Sequence, residues 1–329
     1  MKLPDFDYRK PVSLTEACEM LSSEEDARPI AGGTDLIPAM KYGLKKPRVL
    51  VDISCLPALR EITLTEKGLT IGAAVTLREI VKSGHNPLLT QACAAVGSTQ
   101  LQAMGTLGGN LCQDTCCLYY NLPPMTRQAL RPCFKRGGDT CHVTKSGKVC
   151  LATYAGDVAP ALLALGAEVT IASPVRERTI PLGELFSGKG ETPQTLNRGE
   201  LVKEITIPSK KSFGSYLKLR VRKSIDYPLL GVAVNLFPNG EKGVSITVGL
   251  TAVERKPLSF TLPPDLSEEK RIEVWMTYLA DEAYKRAHPV ANTSGYSPQY
   301  RREMVKVYVK RAIEEALKKS DEKNLLDSK

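Results

Sequence analysis

Gly105-Thr106-Leu107-Gly108-Gly109-Asn110 opens a segment whose next 40 residues hold Cys112, Cys116, Cys117, Cys133, Cys141 and Cys150. Six of the chain's nine cysteines therefore lie within 39 of its 329 residues. Glycine lets a backbone come close to a phosphate and line up its N–H groups. Clustered thiols are the raw material of a disulfide, a metal site or an iron–sulfur cluster. The segment sets a glycine turn and a thiol cluster side by side, and the rest of the chain is read outward from it.

Three readings of the thiols compete. Disulfides persist in oxidising compartments. The start, Met1-Lys2-Leu3-Pro4-Asp5-Phe6-Asp7-Tyr8, carries no apolar h-region of a secretion signal, so a cytoplasmic, reduced protein is expected. Free thiols packed as small hydrophobes describe Cys18, Cys55 and Cys93, which stand alone in apolar or helical surroundings. Metal is the third reading. Zinc sites usually carry short CxxC knuckles, and none occurs here. The gaps from Cys117 to Cys133, Cys141 and Cys150 hold 15, 7 and 8 intervening residues. Ligands so spaced belong to a loop wrapped around a large object, which suits an iron–sulfur cube better than one tetrahedral ion. A zinc-stapled scaffold without redox function remains an alternative, discriminated by colour and by iron and flavin analysis.

A chain of this length exceeds one typical domain, and 42% hydrophobic residues support real cores. No apolar run approaches the ~18 residues of a membrane span. The net charge of +9 is dispersed, its basic runs being only pairs such as Lys45-Lys46 and Lys210-Lys211. With a single Trp there is no stacking platform, so nucleic-acid binding is not expected. A positive surface fits a solvated basic face, an acidic electron donor or a partner subunit. His85, His142 and His288 form no recognisable triad, and no catalytic residue is expected on this chain.

The first unit, residues 1–54, starts a helix with the capping signature Ser13…Glu16. A strand end at Arg28-Pro29-Ile30-Ala31 runs into Gly32-Gly33-Thr34-Asp35, and a helix follows from Leu36. The second unit, residues 55–211, opens with a hairpin about Lys67-Gly68. Helices are predicted at 76–82 and 87–96. Neither glycine turn fits the dinucleotide fingerprint, so a Rossmann domain is not expected. Asp157 reads as the cap of an apolar helix running to Leu165, and strands follow near 166–171, 179–182 and 201–207. The third unit, residues 212–329, begins with Ser215-Tyr216-Leu217-Lys218-Leu219-Arg220, alternating as an amphipathic strand with exposed polar tips. Further apolar strands, then helices at about 267–287 and 298–319, make this unit α+β.

Ala31–Asp35 (AGGTD), Gly105–Asn110 (GTLGGN) and the cysteine pattern resemble the flavin subunits of the xanthine dehydrogenase, or molybdenum hydroxylase, family. The cysteine insertion is similar to that of the family's 4-hydroxybenzoyl-CoA reductase branch, in its β subunits. The resemblance covers nearly the whole chain. It implies an α+β chain: a two-part FAD-binding domain of the PCMH-like type, an iron–sulfur insertion at about 112–152, and an α+β C-terminal flavoprotein domain. It implies FAD held by Pro29, Ile30, Ala31, Gly32, Gly33, Thr34, Asp35 and Leu36, and by Gly105, Thr106, Gly108, Gly109 and Asn110. Asp157 would reach the flavin's ribityl or ribose hydroxyls, with Tyr216 and Lys218 beside the ring. Gln102-Ala103 departs from the Arg-Asn often found before the second loop.

The resemblance also implies a [4Fe-4S] cluster. Its first ligand falls directly before Leu118-Tyr119-Tyr120-Asn121, giving Cys117, Cys133, Cys141 and Cys150, with Cys112 and Cys116 as spare thiols. The implied role is electron transfer, from a ferredoxin-type donor through [4Fe-4S] and FAD towards two [2Fe-2S] clusters on a small subunit and molybdopterin on a large one. The implied assembly is a dimer of heterotrimers in anaerobic aromatic degradation, removing a phenolic hydroxyl to give benzoyl-CoA. The same subunit serving another molybdenum hydroxylase, acting on a purine or another aromatic, is the alternative.

Overall fold

The structure, a computed structural model, describes residues 2–144, 147–238, 244–267, 271–293 and 295–320. Among these the strands form three sheets. The first contains β1 (Asp7–Arg9), β2 (Ala27–Ile30) and β3 (Val49–Asp52), joined by helices α1 (Leu14–Ser23) and α2 (Leu36–Lys41). Its order is β1-β3-β2, with both pairings parallel, and helical crossovers are what parallel neighbours require. Ser13 caps α1, its hydroxyl accepting the Glu16 N–H at 3.1 Å. The Glu16 carboxylate takes the Val12 N–H at 2.6 Å instead of returning to Ser13, so the reciprocal half of the expected capping signature falls one residue earlier. Ala17, Cys18 and Leu21 of α1 pack with Val49 and Val51.

The second sheet begins with β4 (Ile62–Thr65) and β5 (Gly68–Gly72), the hairpin expected about Lys67-Gly68. Helices α3 (Leu77–Ser83), α4 (Pro87–Ala94), α5 (Thr99–Met104), α6 (Leu107–Leu111) and α7 (Pro124–Ala129) follow, and the cysteine insertion then leads to α8 (Val158–Ala164). Strands β6 (Glu168–Ala172), β7 (Glu177–Pro181) and β8 (Leu201–Pro208) complete an antiparallel sheet of order β4-β5-β8-β6-β7. Leu107, Leu111, Tyr154, Val158 and Leu162 pack into the same core as Val169, Ile171 and Ile205, fixing the second glycine turn to the sheet.

The third sheet is a meander of β9 (Phe213–Leu219), β10 (Leu230–Pro238), β11 (Val244–Thr251) and β12 (Leu258–Thr261). Among the described residues three helices follow: α9 (Pro264–Ser267), α10 (Ile272–Arg286) and α11 (Pro298–Lys319). Alternate residues of a strand face opposite ways. Val232, Val234 and Leu236 pack with Ile246, Val248, Trp275, Leu279, Val309 and Ile313. Ala233, pointing the other way, packs with Ala161, Ala164, Leu88 and Tyr216. Small residues let α8 approach β10 and β11 closely: a Cβ on Gly249 would run into the Pro160 carbonyl. This contact brings the start of α8 against β9. Among the described residues no helix is long and apolar enough to cross a membrane.

The cysteine insertion is tied down at both ends. Cys116 and Thr153 exchange backbone hydrogen bonds at 2.8 and 2.9 Å. The Leu118 N–H donates to the Asn292 carbonyl at 2.7 Å, and Asn292 Nδ2 donates to Leu151 O and Thr153 Oγ1, both at 2.7 Å. The buried Arg301 of α11 in turn donates to the carbonyls of Leu229, Val290 and Ala252, bracing the segment that carries Asn292.

Candidate functional site

The first glycine turn joins β2 to α2. Gly33 sits in the left-handed region at φ 67°, which favours glycine. The Ile37 N–H closes onto the Gly33 carbonyl at 2.9 Å. Among the described residues the N–H groups of Gly32, Gly33, Thr34 and Asp35 donate to no acceptor in the chain. A Cβ on Gly32 would run into the carbonyl oxygen of Met104. The two glycine turns therefore meet backbone to backbone, and no side chain fits between them.

The second turn spends its donors internally. The Leu107 and Gly108 N–H groups donate to Val75 O and Ala73 O, both at 2.9 Å. The Gly109 N–H goes to Thr106 Oγ1 at 3.1 Å, and the Asn110 N–H to Thr106 O at 2.9 Å. Among the described residues the donors left unpaired by the chain thus lie mostly on the first turn, joined by the Thr106 N–H of the second, which also lines the cleft below. The cause is the packing of α6, whose Gly108 lies so close to Ala73 that a Cβ would stand 2.7 Å from that residue's own.

Ala31, Gly32 and Thr106 share a cleft of about 380 Å³ with Ser54, Cys55, Ala103 and Met104, and its wall carries Arg60, Arg78 and Lys82. That volume suits a small ligand or part of a cofactor. Arg60 pairs with Glu79 at 2.7 Å, and Glu79 completes a capping box with Thr76 on α3. The cleft wall is thus braced, and the cleft is basic.

Asp157 occupies the capping position of α8 but makes no capping bond. Asn110 of the second turn does so, its Oδ1 accepting the Val158 N–H at 3.2 Å. The expected Asp157 cap is therefore corrected. Its carboxylate accepts from Tyr216 Oη at 2.7 Å and from Lys218 Nζ at 3.0 Å. Lys218 Nζ also donates to Ala95 O at 3.0 Å. Tyr216 and Lys218 are two apart on β9 and share a face. That face is covered by α4 and α8, so the expected exposed tips are buried. Burial pushes the Asp157 carboxyl above its ordinary value, against the pull of the Lys218 charge and the two hydrogen bonds. The Tyr216 phenol is pushed well up by burial and by the Asp157 charge. A carboxylate, an ammonium and a phenol converge here, a set suited to holding hydroxyls and charge.

Cys117, Cys133, Cys141 and Cys150 line one pocket with Tyr119, Tyr120, Phe134, Lys135 and His142. Cys112 packs against the second core, and burial pushes its thiol up to about 12. Cys116 lies in the bridge with Thr153 and is likewise pushed up to about 12, first by burial. Burial also raises the thiols of Cys117 and Cys150, the latter to about 11. All nine cysteines are free. Among the described residues no group of three or more His, Cys, Asp or Glu is placed to hold a metal ion. His142 turns its Nε2 to Arg131 O at 2.9 Å. Sequence reading singled out neither Lys135, whose ammonium reaches Asp114 at 2.5 Å, nor Asn292. A lone lysine or asparagine in a loop carries no local pattern, and only the contact reveals it.

The chain is similar to known proteins in sequence and in fold. Residues 4–210 match the family model described as the FAD binding domain in molybdopterin dehydrogenase. The glyceraldehyde dehydrogenase medium chain of Sulfolobus acidocaldarius is 27% identical, over 95% of this chain and 98% of its own length. The aldehyde oxidoreductase FAD-binding subunit of Escherichia coli is 30% identical, over 88% and 92%. Among solved structures, a carbon monoxide dehydrogenase from Hydrogenophaga pseudoflava matches with a TM-score of 0.77 and 25% identity, covering 97% of this chain and 99% of its own. Matched over more than half its length, the chain belongs to the family of FAD-binding domains of molybdopterin dehydrogenases.

Proposed function

We propose that this chain is the FAD and [4Fe-4S] electron-transfer subunit of a 4-hydroxybenzoyl-CoA reductase. The observation that carries the finer reading is the convergence of Cys117, Cys133, Cys141 and Cys150 on one pocket, inside an insertion that begins at the second glycine turn. A single zinc ion draws its sulfurs to ~2.3 Å from one point. A four-iron cube meets each thiolate at a different corner, so four thiols lining one pocket suit it.

FAD supplies two-electron chemistry and an iron–sulfur cluster one-electron chemistry, so together they convert between the two. The residues of this chain bind and orient. The unpaired N–H groups from Gly32 to Asp35 suit a pyrophosphate. Arg60, Arg78 and Lys82 offer positive charge along the same cleft, while Asp157, Tyr216 and Lys218 suit the polar part of the flavin. Residues 1–54, 55–211 and 212–329 serve as two flavin-binding subdomains and a C-terminal domain, each built on one sheet.

In this reading a ferredoxin-type protein delivers electrons to the thiol pocket, and a small subunit with two [2Fe-2S] clusters and a large molybdopterin subunit complete a dimer of heterotrimers. In this reading the aryl hydroxyl is removed on the large subunit, so the chain is incomplete alone. A hydroxylase acting on a purine or another aromatic would use the same flavin subunit; the cysteine insertion is what favours the reductase. Anaerobic co-expression of the three subunits with reduced ferredoxin tests the reading. Conversion of 4-hydroxybenzoyl-CoA to benzoyl-CoA is the expected result. Turnover of a purine alone, or turnover by this chain alone, would overturn it.

A further inference from the structure

Lys135 lines the thiol pocket with its side chain's apolar part, and its charge is near enough to Cys150 to favour that residue's thiolate. The Lys135 side chain is only 2% exposed. It donates to Asp114 Oδ1 and Thr115 Oγ1, each at 2.5 Å, and to Gly190 O at 3.1 Å. Its ammonium also stands 5.1 Å from the Tyr120 ring centre. A buried ammonium costs several kcal/mol unless it is paired and its protons are satisfied. Here a carboxylate, a hydroxyl and a carbonyl take them.

Asp114 links this cation to the flavin turn. Its other oxygen pairs with Lys45 at 3.1 Å. Its N–H donates to Asp35 Oδ2 at 3.3 Å, and Asp35 ends the first glycine turn. Burial opposes ionisation of Asp114, yet Lys135 and Lys45 hold its carboxyl below the usual range. The pair Lys135–Asp114 is therefore charged, fixed and shared between the thiol pocket and the flavin turn. Simple packing of the pocket does not need it, since an apolar side chain would fill the wall without a desolvation cost.

We propose that Lys135 sets the reduction potential of the iron–sulfur cluster, its buried ammonium stabilising the more negative, reduced form. The proposal rests on the cluster reading above. A cluster held by four thiolates gains one further negative charge when it accepts an electron, and net charge around a cluster tunes its potential. Lys135 forms no bond to iron. The Asp114 carboxylate acts in the opposite sense.

The test is an anaerobic redox titration of the purified full chain, with the cluster followed by electron paramagnetic resonance. FAD and iron are quantified beforehand. Lys135→Met keeps the length of the side chain and removes the charge; Lys45 remains to pair Asp114. At the parent's midpoint potential this variant is expected to hold about tenfold less reduced over oxidised cluster, a fall of about 59 mV for one electron. Lys135→Arg should stay near the parent. Asp114→Asn, which leaves the ammonium, should shift the midpoint upward. An iron-loaded Lys135→Met with an unmoved midpoint, or Lys135→Arg falling as far as Met, overturns the proposal. Should Lys135→Met lose its iron, Asp114→Asn decides: an upward shift supports the proposal, and an unchanged or lower midpoint overturns it. A parent chain with FAD but no iron overturns the cluster reading and this inference with it.

Discussion

Lys218 Nζ donates to Asp157 Oδ2 at 3.0 Å, and the two side chains are each only 5% exposed. The bond joins the third sheet to the helix that leads out of the cysteine insertion. Removing one partner of a buried pair leaves the other charge uncompensated, at a cost of ~3–5 kcal/mol. Lys218→Met is therefore expected to lower stability by about that amount in urea unfolding and to weaken FAD retention. Unchanged stability would show that Asp157 is not held by this ion pair.

Gly33→Asp tests the flavin turn. Aspartate tolerates the left-handed backbone better than most residues, so the fold should be kept. Its carboxylate would stand among the four N–H groups left unpaired by the chain. FAD loss with a near-parental circular dichroism spectrum is the expected outcome. Stoichiometric FAD in the purified variant would contradict it.

The acid limb of stability reports on a different pair. Glu200 accepts from Arg178 Nε at 3.1 Å and Nη2 at 2.9 Å, and from the Asn197 N–H at 2.8 Å. The Arg178 bond, aided by Asn197 and opposed by burial, holds its carboxyl below the usual range. A depressed folded pKa contributes stability that is fully present above the unfolded value of about 4.3 and is lost as pH falls through the folded value. Urea midpoints measured downward from pH 7 should drop in that window, and the drop should be shallower in Glu200→Gln. Parallel curves for parent and variant would remove Glu200 from the account.

How far the sequence foretells this structure depends on how local the signal is. The hairpin about Gly68 and the alternating strands of the third sheet are written in neighbouring residues and are found as expected. Strand β1 is not, because Asp7, Tyr8 and Arg9 are all exposed and pair with Val49–Val51, some forty positions away. Helix α6 hides inside the second glycine motif, where Gly108 and Gly109 read as a turn. The first glycine turn is legible because its chemistry is local. The partners of Asp157 are not: Tyr216 and Lys218 lie 59 and 61 positions away, brought in by the packing of α8 on β9 and β10. Lys135 was equally silent, since its meaning comes from Asp114 and from the thiols around it.

The thiol set divides by single substitutions. Cys117→Ala, Cys133→Ala, Cys141→Ala and Cys150→Ala should each lose most bound iron while keeping FAD, because no residue of either flavin turn lines the pocket. Cys112→Ala and Cys116→Ala should keep both, since those thiols pack in the second core and in the Thr153 bridge. Loss of iron from Cys116→Ala with retention in Cys117→Ala would mean that the loop presents its other adjacent thiol.

The most direct test of the whole reading is cofactor analysis of the chain purified without oxygen: flavin, iron, acid-labile sulfide and zinc per chain, with the visible spectrum. The expected result is a yellow-brown protein with about one FAD, about four irons and about four sulfides. FAD with about one zinc and no sulfide, or flavin with empty thiols after anaerobic reconstitution with iron and sulfide, would contradict it.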